Sequence, residues 1–340
     1  MFEQDLRRLY ELHRGKLSFK WSSYLSTYER LFRSFRGDRI RLLEIGIQNG
    51  GSLELWSKYF GNALQLIGCD INRDCSLLLY SDKRINVVIG DANDIETYRK
   101  ILLCSSEFDI VIDDGSHRSS DIIKSFCVFF PLLASGGVYI VEDLHCSYWD
   151  KFEGGLFNPY SSISFFKRLV DVVNYEHWGV NKNQVDILSG IFYKYGCNMD
   201  SRMLSQINSI EFVNSMCVIR KAPASDNTLG SCVMGGSVEI VAPGHEKFRG
   251  TKYNISEEMD QSSNPWSARE KPPDELIEIV ESELIVAVAE NDKIKDLLRQ
   301  REIELDLLYQ STSWKITAPV RAARRLFGLI NDRLYRIRLR

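Results

Sequence analysis

The sequence predicts an α/β protein built on a doubly wound, mostly parallel sheet with an antiparallel edge hairpin, followed by a long helical C-terminal region. Three observations carry this. Short β-rich runs alternate with longer amphipathic segments between residues 40 and 143, the pattern of strands joined by crossover helices. The runs are apolar on both faces, as strands covered on each side must be. A last β-rich stretch, "SIEFVNSMCVIRK" (209–221), is broken by Asn214-Ser215, a tight turn that makes a hairpin.

Residues 1–37 are basic, aromatic and helix-prone, an N-terminal helical extension ending at "FRGDR". "IRLLEIGI" (40–47) is the first strand and "SLELWSKYF" (52–60) its crossover helix; "LQLIGCDI" (64–71) and "INVVIG" (85–90) are the second and third strands. "DIETYRKILLC" reads as helix, "FDIVIDD" (108–114) as strand, "SSDIIKSFCVFFPLLA" as helix and "GVYIVED" (137–143) as strand. Residues 144–208 are taken as the loops that shape a substrate pocket, and the hairpin closes a domain spanning 38–221. Residues 222–273, rich in Ser, Gly, Pro and Asn, read as linker or irregular chain.

After Pro272-Pro273 the pattern becomes heptad. Ile277, Val280, Leu284, Ala287, Asn291, Ile294, Leu298, Arg301, Leu305 and Leu308 follow 3-4 spacing with charged flanks, which predicts a coiled coil over 274–310 and a homo-oligomer, with Asn291 favouring one register. Residues 311–340 restart a helix, with Thr317 as N-cap and Pro319 in the first turn. Val320, Ala323, Phe327, Ile330, Leu334 and Ile337 form its apolar stripe. From Lys315 to Arg340 eight Lys or Arg are opposed by Asp332 alone, in a chain whose net charge is −3. A basic amphipathic helix of this kind suits an anionic membrane surface or a docking partner.

The whole composition, 340 residues with 44% hydrophobic and 26% charged, is that of a soluble globular protein and gives no reason to expect a nucleic-acid partner. Eight cysteines without a CxxC pair argue for reduced thiols and a cytoplasmic setting over disulfides or zinc. The N-terminus lacks a signal-peptide core, and no run approaches the ~20 apolar residues of a spanning helix.

In doubly wound sheets ligands bind beyond the carboxyl ends of the strands, where loops and helix N-termini converge. The first strand ends in "EIGIQNGGS". A nicotinamide-type GxGxxG would need a glycine two residues after Gly46, where Gln48 stands. E-x-G-x-x-x-G, with Glu44, Gly46, Gly50 and the following Ser52, is instead the S-adenosylmethionine (SAM) loop of class I methyltransferases. Asp70, ending the second strand, suits both ribose hydroxyls; Asp91, after the third, suits the adenine amino group. Each of these aspartates has a plainer reading as a turn or helix cap.

The fourth strand ends at Asp113-Asp114 and the fifth at Glu142-Asp143. If these strands are neighbours, Asp114, Glu142 and Asp143 converge, and carboxylates so crowded need a cation among them. Oxygen ligands suggest a hard divalent ion, Mg²⁺ first. His117 is the expected general base for a sugar hydroxyl, with His145 in reserve; Asp113 structures the loop or borders the cofactor.

Together "LLEIGIQNGGSLELW", "FDIVIDDGSH", "FFPLLASGGVYIVEDLHCSYW" and "SIEFVNSMCVIRK" resemble the metal-dependent sugar O-methyltransferases of macrolide biosynthesis and, more distantly, cephalosporin hydroxylase-like and rhamnosyl O-methyltransferases. The resemblance covers about residues 15–221. It implies SAM, Mg²⁺ on Asp114, Glu142 and Asp143, and His117 as base. The heptads followed by "STSWKITAPVRAARRL" are similar to tails of bacterial O-antigen and capsule assembly enzymes. The expectation is therefore a SAM-dependent, Mg²⁺-assisted O-methyltransferase of a surface polysaccharide such as the O-antigen of lipopolysaccharide, methylating and capping its terminal sugar. Such an enzyme would be cytoplasmic or peripheral at the inner membrane, beside a glycosyltransferase. The alternatives are methylation of a glycosylated natural product, or a non-catalytic scaffold recruiting a glycosyltransferase.

Overall fold

The computed structural model describes residues 5–252, 260–270 and 272–325. The N-terminal extension forms α1 (Leu6–Leu12) and α2 (Ser22–Phe32). The alternating segments then fold as β1 (Arg41–Ile45), α3 (Gly51–Tyr59), β2 (Gln65–Asp70), β3 (Ile85–Ile89), α4 (Ile95–Cys104), β4 (Phe108–Asp113), α5 (Ser119–Phe129) and β5 (Leu133–Val141). After α6 (Ser162–Val173), α7 (Ser189–Tyr195) and α8 (Ser201–Leu204) come the hairpin strands β6 (Ile207–Val213) and β7 (Met216–Lys221). Among the described residues the seven strands form one sheet in the order β3-β2-β1-β4-β5-β7-β6. β1 to β5 run parallel, and β7 is antiparallel to both β5 and β6.

This order puts the reversal of strand order between the parallel neighbours β1 and β4, side by side at the centre. Their C-terminal ends, with that of β5, open onto one edge, where a doubly wound sheet places its ligands. β5 begins earlier than its apolar run suggests: the register with β4 jumps between Phe108 and Ile110, and Gly136 absorbs the irregularity at φ +83°.

Alternation along the strands divides the core into two layers. Leu43, Ile45, Val111 and Tyr139 pack with Phe126, Phe129, Phe130, Phe165 and Phe166, whereas Leu42, Ile110 and Ile140 pack with Trp56, Phe60, Tyr28 and Phe32. The second layer makes the N-terminal extension part of the domain. Tyr24, Leu25, Tyr28, Leu31 and Phe32, one face of α2 at i, i+3, i+4 spacing, are buried, and the Tyr28 and Phe32 rings lie 5.4 and 5.6 Å from Trp56.

The stretch expected as loops, 144–208, is more ordered than that. α6 starts at Ser161, whose hydroxyl accepts from the Ser164 amide, and it buries Phe165, Phe166, Leu169 and Val172 against the sheet layer.

The chain divides into two compact units, Met1–Glu275 and Leu276–Arg340. The boundary falls in the first turn of α9 (Pro273–Gln310), which is one continuous helix, and Val280, Leu284, Ile294, Leu298, Leu305 and Leu308 of the heptad stripe are exposed. α10 (Thr312–Ile316) is capped by Ser311, whose Oγ accepts from the Trp314 amide at 3.2 Å. A short helix therefore precedes Thr317, and residues 318–325 are helical after it, as expected, with the Thr317 carbonyl accepting from the Arg321 amide at 3.1 Å while its hydroxyl donates back to the Ser313 carbonyl at 2.7 Å. Phe327, Ile330, Leu334 and Ile337 lie outside the described residues. No described helix is long and apolar enough to cross a membrane.

Candidate active site

The glycine loop after β1 is shaped by close approaches. Gly46 has φ +84°, and a β-carbon there would lie 2.1 Å from the Asp114 carbonyl oxygen. Gly50, at φ +74°, is the left-handed residue that opens α3. The Gly51 amide donates to the Leu17 carbonyl at 3.1 Å, and a side chain on Gly51 would strike the backbone of Lys16 and Leu17. Gly51 thus admits a strap, residues 13–21, across the start of α3, whereas a side chain on Gly50 would meet Tyr80 and Leu78. Glu54 of α3 pins the strap, accepting from the Lys16 amide at 3.0 Å and from its ammonium at 2.7 Å.

Asp70 holds the loop directly. Its Oδ2 accepts from the Ile47 and Gln48 amides, both at 2.9 Å, and its Oδ1 from the Asn72 amide at 2.8 Å. Asp91 makes an Asx turn, accepting from the Asn93 amide at 2.9 Å. Both aspartates line a cavity of about 230 Å³ with Gly46, Gln48, Asp113 and Gly115. Asp113 is buried, touched by the Gly115 amide at 3.3 Å and the Tyr139 hydroxyl at 3.4 Å; burial pushes its carboxyl up to about 7.

A second cavity adjoins the first and shares Gly46, Gln48 and Asp114 with it. Here Asp114, His117 and Asp143 each offer a ligand atom within 4.8 Å of the others. His117 and Asp143 both adopt left-handed backbone, φ +59° and +50°, which costs energy in non-glycine residues and is often found where a side chain must be aimed. His117 Nε2 lies 3.8 Å from Asp143 Oδ2. Asp143 Oδ1 accepts from Trp21 Nε1 at 3.0 Å and the Tyr24 hydroxyl at 2.8 Å.

Glu142 and Glu44 form the floor. Glu142 Oε1 accepts from the Tyr28 hydroxyl and from Lys20 Nζ, the latter at 2.6 Å; burial pushes its carboxyl up to about 8, against the opposing pull of Lys20. Glu44 Oε2 accepts from Ser52 Oγ at 2.7 Å and Trp56 Nε1 at 3.1 Å, and burial raises its carboxyl too. Lys20 Nζ, in a side chain 3% exposed, stands 2.5 Å from Asp114 Oδ2 and 3.4 Å from Glu44 Oε1. Burial disfavours its charge, but Glu142, Asp114 and Glu44 outweigh this and hold it well above the ordinary lysine range.

The sequence-derived residues therefore fall into three groups. Asp114, His117 and Asp143 face one point, with Glu142 beside Asp114 across Lys20. Gly46, Asp70, Asp91 and Asp113 surround the neighbouring cavity, whereas Glu44 and Ser52 are bonded to each other at the floor. His145 sits off this focus: its Nδ1 hydrogen-bonds Ser215 Oγ and lies 4.0 Å from Asp143 Oδ1. Lys20, Trp21, Tyr24 and Tyr28 were not anticipated. The aromatic spacing in α2 signals packing, but nothing in "KLSFKW" distinguishes Lys20 from a surface lysine.

Two carboxylates and an imidazole converging at this spacing, with a third carboxylate adjacent, fit a divalent cation by donor chemistry. The glycine loop and strand-end aspartates fit a nucleoside-bearing cofactor.

No protein-family model matches the chain. It is 36% identical over 171 residues to 8-demethyl-8-alpha-L-rhamnosyl tetracenomycin-C 2'-O-methyltransferase of Streptomyces olivaceus, covering 47% of this chain and 44% of that protein. It is 36% identical over 182 residues to demethylmacrocin O-methyltransferase of Streptomyces fradiae, 49% and 45% of the two chains. The chain thus spans less than half the length of these relatives. Among solved structures it is similar to the MycE methyltransferase of mycinamycin biosynthesis in complex with Mg and SAH, with a TM-score of 0.52, 25% identity and coverage of 72% of this chain and 58% of that one. The same enzyme with Mg, SAH and mycinamycin VI gives a TM-score of 0.51 at 26% identity, over 66% and 56%. The sheet has the class I methyltransferase fold, and over about half its length the chain is similar to sugar O-methyltransferases of macrolide and tetracenomycin pathways.

Proposed function

We propose that the protein is a SAM-dependent, Mg²⁺-assisted O-methyltransferase acting on a sugar hydroxyl of a glycosylated natural product. The observation that carries this is the meeting of two cavities at Asp114: one lined by Asp70, Asp91 and the glycine loop, the other by Asp114, His117 and Asp143. The relatives are named for glycosides of small molecules, so this acceptor is preferred to the surface polysaccharide expected from the tail. Contact of the basic tail with an inner membrane or a glycosyltransferase is proposed from its sequence alone.

Asp114, Glu142 and Asp143 would hold the ion, which would supply Lewis acidity to the acceptor hydroxyl. Gly46 and Gly50 would let the loop backbone approach the cofactor, and Asp70 and Asp91 would meet its nucleoside half. The cofactor would supply an electrophilic methyl group and leave as S-adenosylhomocysteine. His117 would take the proton of the acceptor hydroxyl. Tyr24 and Trp21 fix the Asp143 carboxylate, Trp21 from the wall of the cavity itself.

Labelled cofactor with a panel of glycosylated acceptors tests this. EDTA should cut transfer by about two orders of magnitude or more, the several kcal/mol that a Lewis acid contributes, and Mg²⁺ should restore it. Transfer indifferent to EDTA would remove the metal from the mechanism.

The exposed stripe of α9 is proposed to self-associate as a coiled coil through Leu284, Asn291, Leu298 and Leu305. Light scattering should give a multiple of the chain mass for the full protein and the single-chain mass after removal of residues 274–340. A monomeric full-length protein would end that reading.

A further inference from the structure

Lys20 is the feature that neither the motifs nor the proposed chemistry accounts for. Its ammonium touches one carboxylate from each of three adjacent strand ends: Glu44 in β1, Asp114 after β4 and Glu142 after β5. Two of these are expected ligands of the divalent ion. An ion drawing on Asp114 and Glu142 would stand beside Nζ, in a place where the lysine side chain is only 3% exposed. Like charges so close, with little water between them, repel strongly.

The structure also provides somewhere for the ammonium to go. Glu44 Oε2 is taken by Ser52 and Trp56, but Oε1 meets Lys20 at 3.4 Å, longer than a charge-assisted hydrogen bond. The strap backbone is anchored at Lys16 and Leu17, whereas the four-carbon stem of Lys20 can change rotamer.

We infer that Lys20 is a resident cation of this site, holding Asp114 and Glu142 together when no divalent ion is bound and withdrawing toward Glu44 when one enters. The inference rests on the reading of the cluster as a divalent-ion site. Ion binding is then an exchange of one cation for another, and its affinity is set by the lysine as well as by the ligands. Without either cation, the floor carboxylates would be buried uncompensated, which destabilises a fold.

Calorimetric titration of the full chain with MgCl₂, comparing wild type with Lys20→Met and Lys20→Gln, tests this without any acceptor. Both variants should bind Mg²⁺ at least about tenfold more tightly. In EDTA both should melt below wild type, and saturating Mg²⁺ should narrow that gap. Equal or weaker Mg²⁺ binding by both variants would overturn the inference while leaving the metal site standing; a wild type that takes up no Mg²⁺ would remove the metal site itself. If neither variant folds, wild-type crystals grown in EDTA and in MgCl₂ decide the matter. The inference requires Nζ to leave Asp114 Oδ2 and close on Glu44 Oε1 in the second, and an ammonium still bridging Asp114 and Glu142 beside the ion would refute it.

Discussion

His117→Ala should lower kcat for methyl transfer by about 10²–10⁴-fold, the range a positioned general base contributes, while cofactor affinity stays within about twofold. The imidazole lines the second cavity, and its Nε2 lies 3.8 Å from Asp143 Oδ2. Its backbone is held at φ +59° by a loop that has little freedom, because Ser116 Oγ bonds Asp121 at 2.6 Å and accepts from the Arg118 amide at 3.2 Å. His145→Ala is the internal control. Its Nδ1 already bonds Ser215, so its loss should act through Asp143 and cost far less. Steady-state kinetics on both variants, with Mg²⁺ titrations alongside, separate the roles. A larger loss in His145→Ala would reverse the assignment, and weakened Mg²⁺ binding in His117→Ala would make His117 a ligand rather than the base.

Gly46→Ala should destabilise the domain by about 3 kcal/mol or more and abolish cofactor binding. A β-carbon at φ +84° costs roughly 1–2 kcal/mol by itself. Here it would also meet the Asp114 carbonyl at 2.1 Å, and overpacking of this kind adds roughly 1–3 kcal/mol. Neither partner can give way cheaply, since Gly46 donates to the Cys69 carbonyl at 2.8 Å and Asp114 to the Ile45 carbonyl at 2.9 Å. Gly136→Ala isolates the first cost. Gly136 has almost the same φ, +83°, but no atom lies within 4 Å of its would-be side chain. Urea unfolding of both variants should therefore show Gly46→Ala as clearly the worse. Equal losses would mean that dihedral strain alone, and not the approach of the β1 and β4 loops, demands glycine at 46.

These positions also show what could be read before folding. β1, β2 and β4 were visible because a doubly covered strand must be apolar, β3 from its β-branched run although it is an edge strand with only Val88 buried, and the hairpin because Asn214-Ser215 interrupts the β-rich stretch, Ser215 taking φ +67° in the turn. The carboxylates at the strand ends followed from the same pattern, since register with a neighbour carries Asp114 and Glu142 to one edge. α6 was passed over although Ile163, Phe166 and Val170 keep helical spacing behind the Ser161 cap; the Gly- and Asn-containing stretch before it masked the start. Lys20 was illegible for a different reason. Its role depends on burial created by contacts 94 and 122 residues away, and no local pattern encodes such a separation. The helix after Thr317 was legible from Pro319, but the short α10 before it was not, because five residues give no periodicity to read.

The turn of the hairpin has a temporal consequence. Ser215 accepts from the Leu144 amide at 2.8 Å and from the Tyr24 hydroxyl at 3.0 Å through its carbonyl, while its own hydroxyl reaches His145 and Tyr24. A ribosome that has made every strand through β5 has therefore produced all the acidic groups but not the clasp that steadies them. Methyl-transfer competence should switch on late in synthesis, once the final pair of strands has emerged and docked, so that prematurely terminated chains are catalytically silent.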